Sequence, residues 1–247
     1  MKAMKKMASL VVLGAIGIST VGCGAISSTI INEVVEKVTE DTAVTLVQGN
    51  LDAMYKGIYS EEYVEMLADE TEEDLVQAYE EGMLVEADYF AYYWGMYDAE
   101  YGESYEMLSE SVREDILQLC KDIFAQTKYE IQESTTLSDG NYSVKVSVEP
   151  SYIMKQAEEM YDRYDDLEAF WEKYRFVNVD DMSDEEYQAY GDEYARIIIK
   201  MVRELLPEMK YMDAKTQMIQ VEEDENGVLF INEDDWNVFN GYIVYYP

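Results

Sequence analysis

Lys128-Tyr129-Glu130-Ile131-Gln132 and Tyr142-Ser143-Val144-Lys145-Val146-Ser147-Val148-Glu149, joined through Ser138-Asp139-Gly140-Asn141, decide the fold. In the second run Tyr142, Val144, Val146 and Val148 alternate with Ser143, Lys145, Ser147 and Glu149. A period of two puts the apolar set on one face and the polar set on the other, which is a half-buried strand. The Asp-Gly-Asn cluster before it is a turn signal, and Pro150 stops the run. The two runs therefore pair as an antiparallel hairpin. A second hairpin lies near the end of the sequence, where residues 216–221 and 228–231 flank Glu225-Asn226-Gly227, a tight-turn signal.

The segments around these hairpins have helical spacing. Val44, Val47, Leu51, Met54, Tyr55 and Ile58 recur every three or four residues and predict an amphipathic helix over 41–58, ended by Gly57. Ser60 caps a short helix through Tyr63, Val64 and Leu67. Thr71-Glu72-Glu73-Asp74 is a capping box with Asp for Glu and opens a third helix. Residues 87–97 read as helical, and so do 107–126, with Val112, Ile116, Leu119, Cys120 and Ile123 inward. Between the hairpins lie two long predicted helices. One covers 151–174, and the other runs from the box Ser183-Asp184-Glu185-Glu186 to about Leu205, limited by Pro207. Asp234-Asp235-Trp236 starts a last helix.

The chain carries 53 acidic and 18 basic side chains, a formal charge of −35, and no histidine. Nucleic acid is excluded as a partner, because phosphate binding needs a basic surface. Cationic partners are permitted by this charge, and a solubilising acidic surface is its simplest account. The lack of imidazole removes Ser-His-Asp and Cys-His catalysis and His-based zinc sites. Any chemistry would fall to carboxylates, Tyr or Lys, so the expectation is a non-catalytic protein without cofactor or metal. Cys120 sits on an apolar helix face as a small hydrophobe.

Lys2, Lys5 and Lys6 precede an uncharged apolar run over residues 7–21, the pattern of a secretory leader. The run is short for a transmembrane helix, although an uncleaved anchor is the alternative. Its end, Ser19-Thr20-Val21-Gly22-Cys23, resembles a bacterial lipobox, with Thr20 where Leu is commonest. That resemblance implies a signal peptide over 1–22 and a Cys23 thiol carrying diacylglycerol, with palmitate as a typical acyl chain. A short tether over 23–40 and one acidic domain over 41–247 follow. The protein would then lie outside the cytoplasm, lipid-anchored to the membrane of the cell envelope. Anionic head groups repel such an acidic surface, so the lipid has to supply the hold.

The order of helices, hairpin, helices and hairpin resembles the nuclear-transport-factor-2-like fold of small exported bacterial lipoproteins. Leu46-Val47-Gln48-Gly49-Asn50-Leu51-Asp52-Ala53-Met54-Tyr55-Lys56-Gly57 and residues 63–67 resemble the opening helix pair of that group, and the strands above resemble its sheet. The implied fold class is α+β, a curved antiparallel sheet of about four strands packed against several helices. A long two-helix insertion separates the hairpins. The Asp with His or Tyr of that fold's active members cannot be transferred whole, since there is no His.

Two clusters are candidate sites. Tyr79, Tyr89, Phe90, Tyr92, Tyr93, Trp94, Tyr97, Tyr101 and Tyr105 crowd one stretch. They read either as a ring-lined pocket or as core packing by a chain that uses Tyr as its large apolar residue. Tyr89, Tyr93, Trp94 and Tyr97 are the candidate ligand-binding residues. Glu222, Asp224, Asn226, Gly227 and Glu233 match calcium-loop spacing. However, position 1 is Glu222, position 9 is Phe230 and the flanks read as strands, so a plain Asn-Gly turn is the competing account. Acid pairs such as Asp165-Asp166, Asp180-Asp181 and Asp234-Asp235 fit solvated faces better than paired catalysis. The function expected is binding of a small apolar or aromatic ligand in a Tyr/Met-lined concavity. The alternative is a protein-protein interaction or scaffold module for a basic partner.

Overall fold

The computed structural model describes residues 39–67, 71–97, 104–223 and 228–247. The leader, Cys23 and the tether lie outside the described residues. The first hairpin forms as the alternation requires. β1 (Lys128–Thr136) pairs antiparallel with β2 (Tyr142–Glu149), with Tyr129 opposite Val148 and Ile131 opposite Val146. Gln132 is an extra residue between the paired Ile131 and Glu133, a bulge that kinks β1. Gly140 closes the turn at φ 97, a backbone shape that favours glycine.

The second hairpin joins the first. β3 (Lys215–Glu223) pairs with β2, with Val144 opposite Ile219 and Tyr142 opposite Val221, and β4 (Leu229–Ile231) pairs with β3. The result is one four-stranded antiparallel sheet in the order β1-β2-β3-β4. Val144, Val146, Val148, Ile219 and Val221 are buried on one face, while Thr216, Met218 and Gln220 on the other meet solvent.

Helices cover the apolar face. α1 (Glu40–Lys56) starts at a Thr39/Thr42 capping box and ends at Gly57, whose φ of 61 suits only a residue without Cβ. Its buried side carries Leu46, Val47, Leu51, Met54 and Tyr55. α2 (Glu61–Met66) is capped by Ser60, and α3 (Glu72–Tyr93) opens on the Thr71/Asp74 box. α4 (Glu110–Phe124) follows a 3-10 turn at Tyr105–Met107. α5 (Ile153–Tyr161), α6 (Asp165–Tyr174) and α7 (Asp184–Leu205) fill the interval between the hairpins, and α8 (Glu233–Asn240) closes the fold. Tyr55 joins four of these elements. Its ring stacks on Trp236 at 6.0 Å and on Phe124 at 6.1 Å, with Tyr129 at 6.3 Å, and its hydroxyl donates to Asn240 Oδ1.

The fold is α+β, as the sequence implies, with three differences in its helices. The segment over 151–174 breaks into α5 and α6 at residues 162–164, so the insertion holds three helices. α3 is continuous through residues 87–93 and ends there, because Gly95 at φ 63 turns the chain and leaves Tyr97 outside the helix. α4 is shorter at both ends than 107–126.

Gly49 sets the approach of α1 to α2. A Cβ there would sit 2.1 Å from Tyr63 Cδ2 and 2.2 Å from its Cγ, atoms of a fully buried ring. Gly→Ala in a helix interior ordinarily stabilises. Gly49→Ala is nevertheless expected to destabilise by about 1–3 kcal/mol through overpacking. Gly191→Ala in α7, whose Cβ would meet only Leu108 Cδ2 at 3.6 Å, is expected to stabilise by about 0.5–1 kcal/mol. Denaturant melts of both variants check the contrast.

Candidate functional site

On α3, Glu86, Tyr89 and Tyr93 stand at spacings of three and seven, which places them on one face. Tyr246, on the segment after α8, packs edge-on against both rings, with centroids at 4.8 Å from Tyr89 and 4.9 Å from Tyr93. Backbone bonds at Ser151 hold that segment in place. Ser151 N donates to Ile243 O at 2.9 Å, and Tyr245 N donates to Ser151 O at 2.9 Å. Tyr93 also meets Trp94 edge-on at 5.3 Å and donates its hydroxyl to Glu158 Oε1 at 2.7 Å.

The carboxylate beside this ring cluster, whose solvent side we call the recess, is Glu86. It is mostly buried, and it makes no hydrogen bond or ion pair among the described residues. Burial alone pushes its carboxyl up to about 7. The titratable groups that face it are Tyr89 on its own helix, the Cys120 thiol on α4 and Tyr246. None of these is a cation. The sealed, unpartnered polar atoms among the described residues are Asn50 Nδ2, Trp94 Nε1, Arg113 Nε, Ser134 Oγ and Trp236 Nε1. The Glu86 oxygens are not in that set, so an opening still reaches them. Glu158 behind Tyr93 differs, since Lys155 pairs it at 3.0 Å.

Three of the four candidate aromatics come together here. Tyr89 is 46% exposed, Tyr93 is half-buried and Trp94 is 7% exposed. Trp94 stacks on Tyr161 at 6.0 Å, and its carbonyl accepts from the Tyr194 hydroxyl at 2.9 Å, which ties α3 to α7. Tyr97, past the Gly95 turn, faces elsewhere. Its hydroxyl donates to Asp88 Oδ1 at 2.7 Å, and its ring lies beside Tyr92. Glu86 and Tyr246 were missing from the sequence-based set. The helical spacing of Glu86 to Tyr89 and Tyr93 was a usable signal for the first. Tyr246 arrives through a long-range packing contact that no local pattern announces.

The other sequence candidates are placed differently. Asp224, Asn226 and Gly227 of the calcium-spaced loop lie outside the described residues. Glu222 accepts from Asn232 Nδ2 at 2.6 Å, and Glu233 opens α8. Among the described residues no group of three or more His, Cys, Asp or Glu is arranged to hold a metal ion. Asp166 pairs with Lys200 at 2.7 Å and Asp235 accepts from Gln220 N at 2.9 Å, so these acids serve the fold. Cys120 is buried in α4, where burial raises its thiol far above the ordinary value.

Two open grooves lie away from the recess. One, of about 410 Å³, is lined by Asp115, Arg196, Lys200, Arg203 and Glu204, whose charges already pair among themselves. The other, of about 460 Å³, lies at the α6–α7 connection beside Tyr174, Val177, Asp181 and Glu186. At that connection Phe176 is 90% exposed.

The raised Glu86 carboxyl makes stability depend on pH. The native group keeps its proton to about pH 7, while an unfolded carboxyl releases it near 4.5. In between, the native state binds more protons, so stability falls as pH rises from about 4.5 to 7 and then levels. Glu86→Gln removes that slope. The variant is expected to match the parent near pH 4.5 and to exceed it by up to about 3 kcal/mol at pH 8, as read from urea midpoints at both pH values. Equal stability at both would contradict the placement of this carboxyl.

No family model matches the chain, and no curated protein matches it. Among solved structures it is similar to a candidate lipoprotein, ycdA, of Bacillus subtilis, with a TM-score of 0.50 and 13% sequence identity. The superposition covers 83% of this chain and 59% of that one, so the chain spans well under two thirds of its neighbour's length. At this identity the likeness is one of fold.

Proposed function

We propose that the chain is an extracytoplasmic lipoprotein, tethered through diacylglycerol on Cys23, whose folded part is a non-catalytic binding module. The leader with its three lysines and the small residues before Cys23 support the tether. The similar fold of the ycdA structure, itself a candidate lipoprotein, agrees with it. No helix among the described residues is long and apolar enough to cross a membrane. The nuclear-transport-factor-2-like cone is our reading of the sheet and the helices laid on its apolar face.

The observation that carries the binding reading is the recess on α3, where Tyr89, Tyr93 and Tyr246 meet edge to face beside the unpaired Glu86. Rings supply contact area at low conformational cost, and one polar group fixes orientation, as ligand sites require. A small ligand with an apolar body suits it. A second reading is favoured by the α6–α7 connection. There Phe176 and Val177 stand exposed, and although Arg175 lies against the Phe176 ring at 5.3 Å and pairs with Glu172, the neighbouring Asp180, Asp181, Asp184 and Glu185 leave the stretch net acidic, a setting for a basic protein partner.

Two measurements test this proposal. Cells fed a palmitate analogue should yield labelled protein in the membrane fraction, and Cys23→Ala should lose the label and the membrane association. An unlabelled, still membrane-bound parent would reject the tether. Native mass spectrometry of the protein from its own host should show a small bound molecule that Tyr93→Ala loses. Retention in Tyr93→Ala would reject the recess, and loss of binding only in Phe176→Asp would move the function to the α6–α7 surface.

A further inference from the structure

Tyrosine, carboxylate and ammonium recur together in this molecule. Lys56 Nζ lies 4.1 Å from the Tyr129 ring centroid and 3.7 Å from Asp52, and Asp52 accepts from the Tyr129 hydroxyl at 2.5 Å. Lys173 lies 4.8 Å from the Tyr174 ring and 2.5 Å from Glu193, which also accepts from the Tyr174 hydroxyl at 2.8 Å. Lys128 stands over Tyr211 at 3.6 Å and pairs with Glu149 at 3.7 Å. In each case a cation rests on a ring face and meets an acid, where the ring quadrupole and the carboxylate both favour it. The α3 recess has the rings and the carboxylate but, among the described residues, no ammonium paired with that carboxylate. Lys155 on α5 is the cation on the Tyr93 side, and Glu158 already holds it.

We infer that the recess takes an organic cation, its ammonium head paired with Glu86 and enclosed by Tyr89, Tyr93 and Tyr246. This rests on the ligand-binding reading above and names the ligand class. An apolar ligand without a donor would leave the carboxyl unpaired in a mostly buried place, a neutral donor would leave its charge uncompensated, and an anion would be repelled by it and by the net charge of −35. A divalent metal wants several oxygen ligands, and here one carboxylate stands among rings. Tyr246 is the wall that gives way on entry. Its segment is tied back at Ser151 through Ile243 and Tyr245, whereas Tyr246 itself contributes ring contacts. The groups that face the carboxyl are Tyr89 from α3, Cys120 from α4, and Tyr246; Tyr93 stands one turn beyond Tyr89 on the same helix face, with the Glu158–Lys155 pair from α5 behind it. A proton therefore competes with the ligand for Glu86 alone. Binding should release a proton near neutrality and tighten as pH rises.

The test is calorimetric titration of the full-length protein in detergent with choline and with its uncharged isostere 3,3-dimethyl-1-butanol, at pH 6 and pH 8. Choline should bind saturably, about tenfold more weakly at pH 6 than at pH 8, since a carboxyl that titrates near 7 is mostly protonated at the lower pH. Heats in buffers of different ionisation enthalpy should report proton release. Glu86→Gln should abolish choline binding while melting as a folded protein, and Tyr93→Leu should weaken it with the ion pair intact. Choline binding retained in Glu86→Gln, or equal affinity for choline and the alcohol, would overturn the inference. If the alcohol binds and choline does not, the recess stands and its cationic preference falls. If neither binds, the cation inference falls, and loss of the host-derived ligand in Tyr93→Ala still judges the recess.

Discussion

The constraint on which the structure depends is the tyrosine hydroxyl donating to a carboxylate. The chain has 53 acids, 18 bases and 23 tyrosines, so most acids cannot find a lysine or arginine. Phenols take that place. Tyr93 donates to Glu158 at 2.7 Å, Tyr97 to Asp88 at 2.7 Å, Tyr129 to Asp52 at 2.5 Å, Tyr174 to Glu193 at 2.8 Å and Tyr164 to Glu204 at 3.1 Å. A hydrogen bond to a charged acceptor is stronger than a neutral one, and it keeps the phenol protonated. Burial and Glu204 together push Tyr164 up to about 12. Each such residue packs a large apolar ring against the core and still satisfies an acid at its rim. Most of these bonds link separate elements: α3 to α5, α1 to β1, and α6 with its N-cap to the middle and the C-terminal end of α7. Glu86 is an acid that this arrangement leaves out, although Tyr89 and Tyr246 lie beside it.

Much of the fold was legible because it obeys local rules. The alternation in β2, the Gly140 turn and the boxes at Thr71 and Ser183 all formed where the residues require, and the Gly57 stop ends α1 as its position implies. What was not legible was set at a distance. Residues 162–164 contain neither Gly nor Pro, and nothing local marks the break between α5 and α6. The break lets α6 bring Leu167 and Phe170 into the core, with Phe170 5.1 Å from Tyr190 and 5.6 Å from Tyr194 on α7. The Gln132 bulge falls where the alternation of Tyr129 and Ile131 gives way to Gln132-Glu133, and β1 continues past it. In the aromatic stretch both sequence accounts hold in part, since Trp94 is core while Tyr89 stays on the surface. Only the turn at Gly95 separates Tyr97 from them.

These features combine into one picture of how the module works. Under the proposed tether, a lipid at Cys23 would hold the protein while its acidic surface stood off anionic head groups, leaving the folded part free to meet ligands or partners. The recess on α3 joins the aromatic packing of α3, α5 and α7 to a segment fastened by two backbone bonds at Ser151. A ligand that moved Tyr246 would act on the residue just past these bonds, while Trp94 stays fixed by Tyr161 and Tyr194.

The most direct test of this account is the titration of the Glu86 carboxyl itself, followed by carbon-13 NMR of glutamate-labelled protein with Glu86→Gln for assignment. The account predicts one glutamate titrating near pH 7 and absent from the variant, since burial without a partner disfavours its charge. A Glu86 resonance titrating at 4 to 4.5 with the other glutamates would mean that the carboxyl is solvated or paired, and the recess would lose its polar centre.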